Sequence, residues 1–122
     1  MPRRTDPPAD PDALEIAADR TALAAILDAQ GRHGEARDTL RDVLRMVERV
    51  LGHDHYAVAV TLERLAGSAR STGEPAQAAA LYARALAIKR RVLGAGDPGV
   101  VATQLALETC REETRSPNGR PG

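Results

Sequence analysis

The sequence predicts an all-α fold, an α-solenoid of antiparallel helical hairpins with about five helices, and three observations carry that expectation. Apolar residues recur at helical spacing through most of the 122 residues, with almost no strand-like alternation. The composition is rich in alanine and has two Tyr and no Phe or Trp, so the core must be built from small and aliphatic side chains that let helices approach closely. The chain also overlies itself when shifted by 42 residues: Gly31 falls on Gly73, Ala36 on Ala78, Leu44 on Leu86, Val50-Leu51-Gly52 on Val92-Leu93-Gly94, and Leu65 on Leu107. A two-helix unit repeating at that length buries its apolar face only by stacking on its neighbours.

Residues 1–11 hold four prolines with mixed charge and little apolar content, so they read as a disordered arm. The helical repeat domain is expected over 12–113, with repeats at about 12–53 and 54–95 and a half repeat at 96–113. Asp12 can cap helix one, in which Leu14, Ala17, Ala18, Leu23, Ala24 and Leu27 recur until Gly31 stops the run. Helix two starts near Gly34 and carries Ala36, Leu40, Val43, Leu44, Val47, Val50 and Leu51 on one face before Gly52. Its pairs Asp38 with Arg41 and Asp42 with Arg45 are ordinary solvated-face pairs of about 0.2–0.5 kcal/mol each.

The loop Gly52-His53-Asp54-His55 leads into helix three, where Val58, Leu62, Leu65, Ala66 and Ala69 form the stripe and Thr72-Gly73 ends it. Pro75 stands where a first-turn proline is tolerated, and helix four then runs through Ala78, Leu81, Tyr82, Ala85, Leu86, Ile88 and Val92 to Gly94. Asp97-Pro98 reads as an N-cap and first helical residue, opening helix five through Val101 and Leu105 to about Glu113. The stretch 114–122, rich in turn residues, reads as a disordered tail. Burying Leu62, Leu65, Leu81, Tyr82, Leu86 and Val92 is worth roughly 1.5–3 kcal/mol each before entropy.

Charge and composition narrow the function. With 17 basic and 17 acidic residues the net charge is zero, so no long-range field draws in nucleic acid or an anionic membrane, and neither is expected as a partner. No apolar run is long enough to span a bilayer, and no apolar segment follows the N-terminal arginines, so a cytoplasmic chain is expected. The single cysteine, Cys110, cannot form an internal disulfide. Arginine outnumbers lysine 16 to 1, which with the alanine bias looks like the codon pressure of a GC-rich bacterial genome.

The run from His55 to Gly94 resembles the tetratricopeptide repeat, in the 42-residue form found in kinesin light chains and many bacterial proteins. The elements that carry the resemblance are Leu65-Ala66, Gly73 at the hairpin turn, Ala78, the run Leu81 to Ile88, and the junction Val92 to Pro98. It extends over about Asp12 to Glu113 as two full repeats and the first helix of a third.

The resemblance implies that the first helix of each repeat lines a groove that receives a peptide or a segment of another protein, as in an adaptor. Carried over position by position, the groove candidates are Ala18, Thr21, Ala25 and Asp28, then Val60, Glu63, Gly67 and Arg70, then Ala102, Leu105, Thr109 and Glu112. The kinesin-light-chain type commonly has an Asn-Asn pair before the Leu-Ala of the first helix; here the residues are Thr21-Ala22, Glu63-Arg64 and Leu105-Ala106. Any peptide must therefore be held by other groups. Helix five has no second helix to complete its hairpin, so Val101, Leu105 and Leu107 are expected to lack cover, and a homodimer through them is the alternative role.

Chemistry is not expected, and no cofactor is called for. Ser68 and Ser71 have no nucleophile-elbow context, and neither a glycine-rich phosphate loop nor a catalytic carboxylate pair is present. His53-Asp54-His55 is the most metal-like cluster and the third, least favoured role, but its place suits capping helix three better than ligation. Cys110 reads as a small core or interface residue, and Lys89-Arg90-Arg91 as the solvated back of helix four.

Overall fold

The computed structural model describes residues 12–115. They form five α-helices in an up-and-down series: α1 (Ala13–Ala29), α2 (His33–Leu51), α3 (Tyr56–Ser71), α4 (Pro75–Leu93) and α5 (Pro98–Arg115). The five expected helices are all present, as an all-α stack of hairpins. The arm at 1–11 and the tail from residue 116 lie outside the described residues; α5 continues through Thr114 and Arg115, two residues past its expected end.

The period of 42 is written in the backbone. Gly31 and Gly73, inside the hairpins, have φ of 80° and 78°, while Gly52 and Gly94, between them, both have φ of 89°. At the first pair the helix ends in a Schellman motif: Arg32 N–H donates to Leu27 O at 2.8 Å and Gly31 N–H to Asp28 O at 2.9 Å, and Glu74 and Gly73 repeat both bonds onto Ala69 and Arg70. Only glycine takes such left-handed conformations without strain, which is why the turns sit where they do.

Helix starts follow local chemistry. His55 caps α3, its Nδ1 accepting from Ala57 N–H at 3.0 Å, and Asp97 caps α5, its Oδ1 accepting from Gly99 N–H at 2.7 Å. Asp12 holds the N-cap position of α1 but makes no side-chain cap bond to the first turn.

Three apolar clusters run through the stack. Ala24, Leu27, Ala36, Leu40 and Leu65 join α1 and α2 to α3. Val43, Val47, Val58, Leu62, Ala85 and Ile88 continue the core into α4, and Ala66, Ala69, Ala78, Tyr82, Leu86, Val100, Leu107 and Cys110 carry it to α5. Ala66 and Ala78 are completely buried, so α3 and α4 meet at a contact with no room for a larger residue.

Four expectations about burial are corrected. Leu107 is covered, because it docks on α4 beside Tyr82 and Leu86. Val92, expected in the core, is half exposed, whereas its counterpart Val50 is of intermediate exposure; among the described residues no second helix follows α5. Leu14 and Leu23 of α1 face outward and not into the core. Lys89, read as solvated, is buried with 6% of its surface exposed, because it meets a carboxylate inside the stack.

Candidate functional site

The first helices α1, α3 and α5 carry all twelve groove candidates, and ties between neighbouring repeats occupy three of the four charged ones. Asp28 of α1 accepts from Ser68 Oγ of α3 at 3.0 Å through one carboxylate oxygen, while the other lies 2.8 Å from His33 Nδ1. Glu63 of α3 accepts from Lys89 Nζ at 2.9 Å and from the hydroxyl of Thr103 on α5. Arg70 of α3 donates to Glu113 of α5, with Nη2 at 2.7 Å from Oε2, and that bond holds the guanidinium pKa above its ordinary value. These side chains set the spacing of the repeats and have little capacity left for a ligand.

The others differ in availability. Leu105 is exposed, as are Thr109, whose hydroxyl is spent on Leu105 O at 3.0 Å, Ala102, and Glu112, which faces Arg115 at 3.6 Å. Val60 is half-buried. Thr21 also back-bonds, donating to Ala17 O at 2.8 Å.

What the structure does bring together is a cleft of about 380 Å³ between α1 and α3, closed below by Leu40 and His33 of α2. Thr21, Ala25 and Asp28 form one wall; Arg64, Gly67, Ser68 and Ser71 form the other. The second wall is one face of α3, with residues at steps of three and four. Arg64 is exposed and has no ion-pair partner among the described residues. Gly67 sits mid-helix, and a methyl group built on it would meet no atom within 4 Å. Glycine in a helix interior costs roughly 1 kcal/mol relative to alanine, so nothing in the packing of this chain accounts for it.

Arg64, Ser68, Ser71 and His33 are cleft residues that the sequence alone did not single out for binding. The step pattern 64, 67, 68, 71 was available, but it identifies a binding wall only once α3 is known to face α1.

Ser68, Asp28 and His33 touch in that order, with the carboxylate in the middle, whereas a nucleophilic relay needs the imidazole between carboxylate and hydroxyl. Burial pushes the Cys110 thiol up from its ordinary pKa, away from the thiolate a nucleophile needs. The loop histidines are committed elsewhere: His53 Nδ1 lies 3.1 Å from Glu48 Oε2, His55 caps α3, and Asp54 pairs with Arg91 at 2.9 Å. Among the described residues no group of three or more His, Cys, Asp or Glu side chains is gathered to hold a metal ion, and no helix is long and apolar enough to cross a membrane.

Comparison with known proteins agrees with the geometry. Residues 14–91 match the family model of the tetratricopeptide repeat. No curated protein matches the chain.

Proposed function

The chain belongs to the tetratricopeptide repeat family, and from that premise we propose that it is a non-catalytic interaction module that holds a peptide, or an extended segment of another protein, in the cleft between α1 and α3. The observation that carries this reading is Gly67: a helix-interior glycine over open space, in the wall of the cleft between α1 and α3, keeps that wall low where a main chain would lie. Arg64 supplies at the rim a cation with no ion-pair partner among the described residues, and Ser71 a hydroxyl, so the segment that fits is one with an acidic side chain and a free main chain beside it. The small side chains Ala24 and Ala25 leave room without adding much apolar grip, which suits a modest, partly polar contact.

The test is selection of a displayed random-peptide library on the full chain, followed by calorimetry with the recovered peptides. Binding that disappears in Gly67→Leu and weakens in Arg64→Glu, both with unchanged helicity, supports the reading. Peptides that bind those variants as tightly as the parent overturn it.

A further inference from the structure

The cleft between α1 and α3 has a counterpart one repeat further on, and the two are finished differently. Shifted by 42 residues, Asp28 becomes Arg70 and Ser71 becomes Glu113, and those two close the second cleft with an ion pair of 2.7 Å. Across the first cleft Asp28 reaches only the hydroxyl of Ser68. Ser71 is exposed, and Arg64 has no ion-pair partner among the described residues.

The charges of the open cleft come in a fixed order along α1. Arg64 is the repeat counterpart of Ala22, so it stands about 15 Å along the helix from Asp12. Asp28 stands about 24 Å from the same point. Ser68 and His33 each occupy one position on a different oxygen of Asp28, which leaves a second acceptor position on each, and 34% of the side chain is exposed. A segment entering from the start of α1 therefore meets a cation first and an anion second.

The chain itself carries a segment with the matching order. Residues 1–11, which lead into α1, include Pro2, Pro7, Pro8 and Pro11, a composition that favours the extended polyproline conformation at about 3.1 Å per residue. Turned back along α1 from Asp12, such a segment carries Asp6 to about 19 Å and Arg4 and Arg3 to about 25–28 Å. The acid then falls at Arg64 and the bases at Asp28, with a few ångströms to spare for reversing direction. Between them, Thr5 and Arg4 bring main-chain N–H groups past Gly67, where the wall is lowest. The opposite side of α1 suits this segment less. It presents Glu15 and Asp19, both exposed, which repel Asp10 and Asp6, around an aliphatic stripe for which residues 1–11 offer only Met1.

Proximity lowers what the contact must supply. A short tether holds its segment at a millimolar effective concentration, so even the modest, partly polar grip of this cleft is enough to fill it. We infer, on the reading of this cleft as the seat of an extended acidic segment, that the chain's own arm occupies it, with Asp6 on Arg64 and Arg3-Arg4 beside Asp28. A partner then binds by displacing the arm, and its apparent affinity is reduced by the fraction of clefts the arm fills.

Proton–nitrogen NMR spectra of the full chain test this with no ligand added. Amide signals of Thr21, Ala25 and Ser71 are expected to move between the parent and Asp6→Arg, by the same amount at every protein concentration. They are expected to return toward their parent positions in Asp6→Arg with Arg64→Glu, which restores the pair in reverse. A synthetic peptide of residues 1–11 is expected to shift the same signals in Asp6→Arg at about a tenth of the concentration the parent needs. Signals identical in the parent and Asp6→Arg, signals that depend on protein concentration, a charge swap that restores nothing, or a peptide that saturates both chains alike would overturn it. Any of these, with library peptides still losing their binding in Gly67→Leu, strikes the arm and leaves the cleft; library peptides indifferent to Gly67→Leu strike the cleft as the seat.

Discussion

Lys89 Nζ lies 2.9 Å from Glu63 Oε2 and 3.1 Å from the Thr103 hydroxyl, so the single lysine in a chain with 16 arginines ties α4 to α3 and α5 at once. The Tyr56 ring centroid is 5.9 Å from the same nitrogen. A compact ammonium on a thin stem fits a buried site that a planar guanidinium would crowd.

Breaking this pair from one side leaves a buried charge without its partner. Glu63→Ala is expected to lower unfolding free energy by about 3 kcal/mol in a urea titration, whereas the double change Glu63→Leu with Lys89→Met is expected to be close to neutral. Equal losses for both would mean that the carboxylate contributes packing and not charge.

Gly67 gives the opposite sign. A methyl at this position meets open space, so Gly67→Ala is expected to stabilise the fold by about 1 kcal/mol through helix propensity alone. The same titration reads it, and a loss of stability would show that the cleft wall is packed in solution.

At the junctions between hairpins the glycines cannot be exchanged. Gly52 and Gly94 have φ of 89° with ψ of 170° and 153°, a region that side chains avoid, so Gly52→Ala and Gly94→Ala are each expected to cost about 1–3 kcal/mol. Thermal melts of the two variants check this, and the two shifts should match because the positions are equivalent in the repeat.

Acid should loosen the stack through Glu48. Burial works against its charged form, but hydrogen bonds from Arg84 and His53 outweigh that and hold its pKa below the usual carboxylate value. A depressed pKa means stability that is fully present above the unfolded value and is lost as pH falls through the folded one. Unfolding free energy is therefore expected to drop across the acidic carboxylate range, with a shallower slope in Glu48→Gln.

The fold was legible in the sequence because its signals are local and repeated: four glycines fix the turns, and small residues at Ala66 and Ala78 fix the closest helix contact. The candidate site was legible only by position. Asp28, Glu63 and Arg70 occupy groove positions, but their partners Ser68, Thr103 and Glu113 are 40, 40 and 43 residues away, and no helical periodicity announces a contact at that range. Lys89 was misplaced for a related reason. Its neighbours Arg90 and Arg91 are exposed, and one residue of helical rotation decides between solvent and core.

The unequal cover of the five helices also has a consequence in time. Only Ala17, Ala24 and Leu27 of α1 are buried, against eight residues of α3, so in an array held by nearest neighbours the first helix opens first and the middle one last. Amide protons of α1 should then exchange with solvent while those of α3 wait for the whole chain to open.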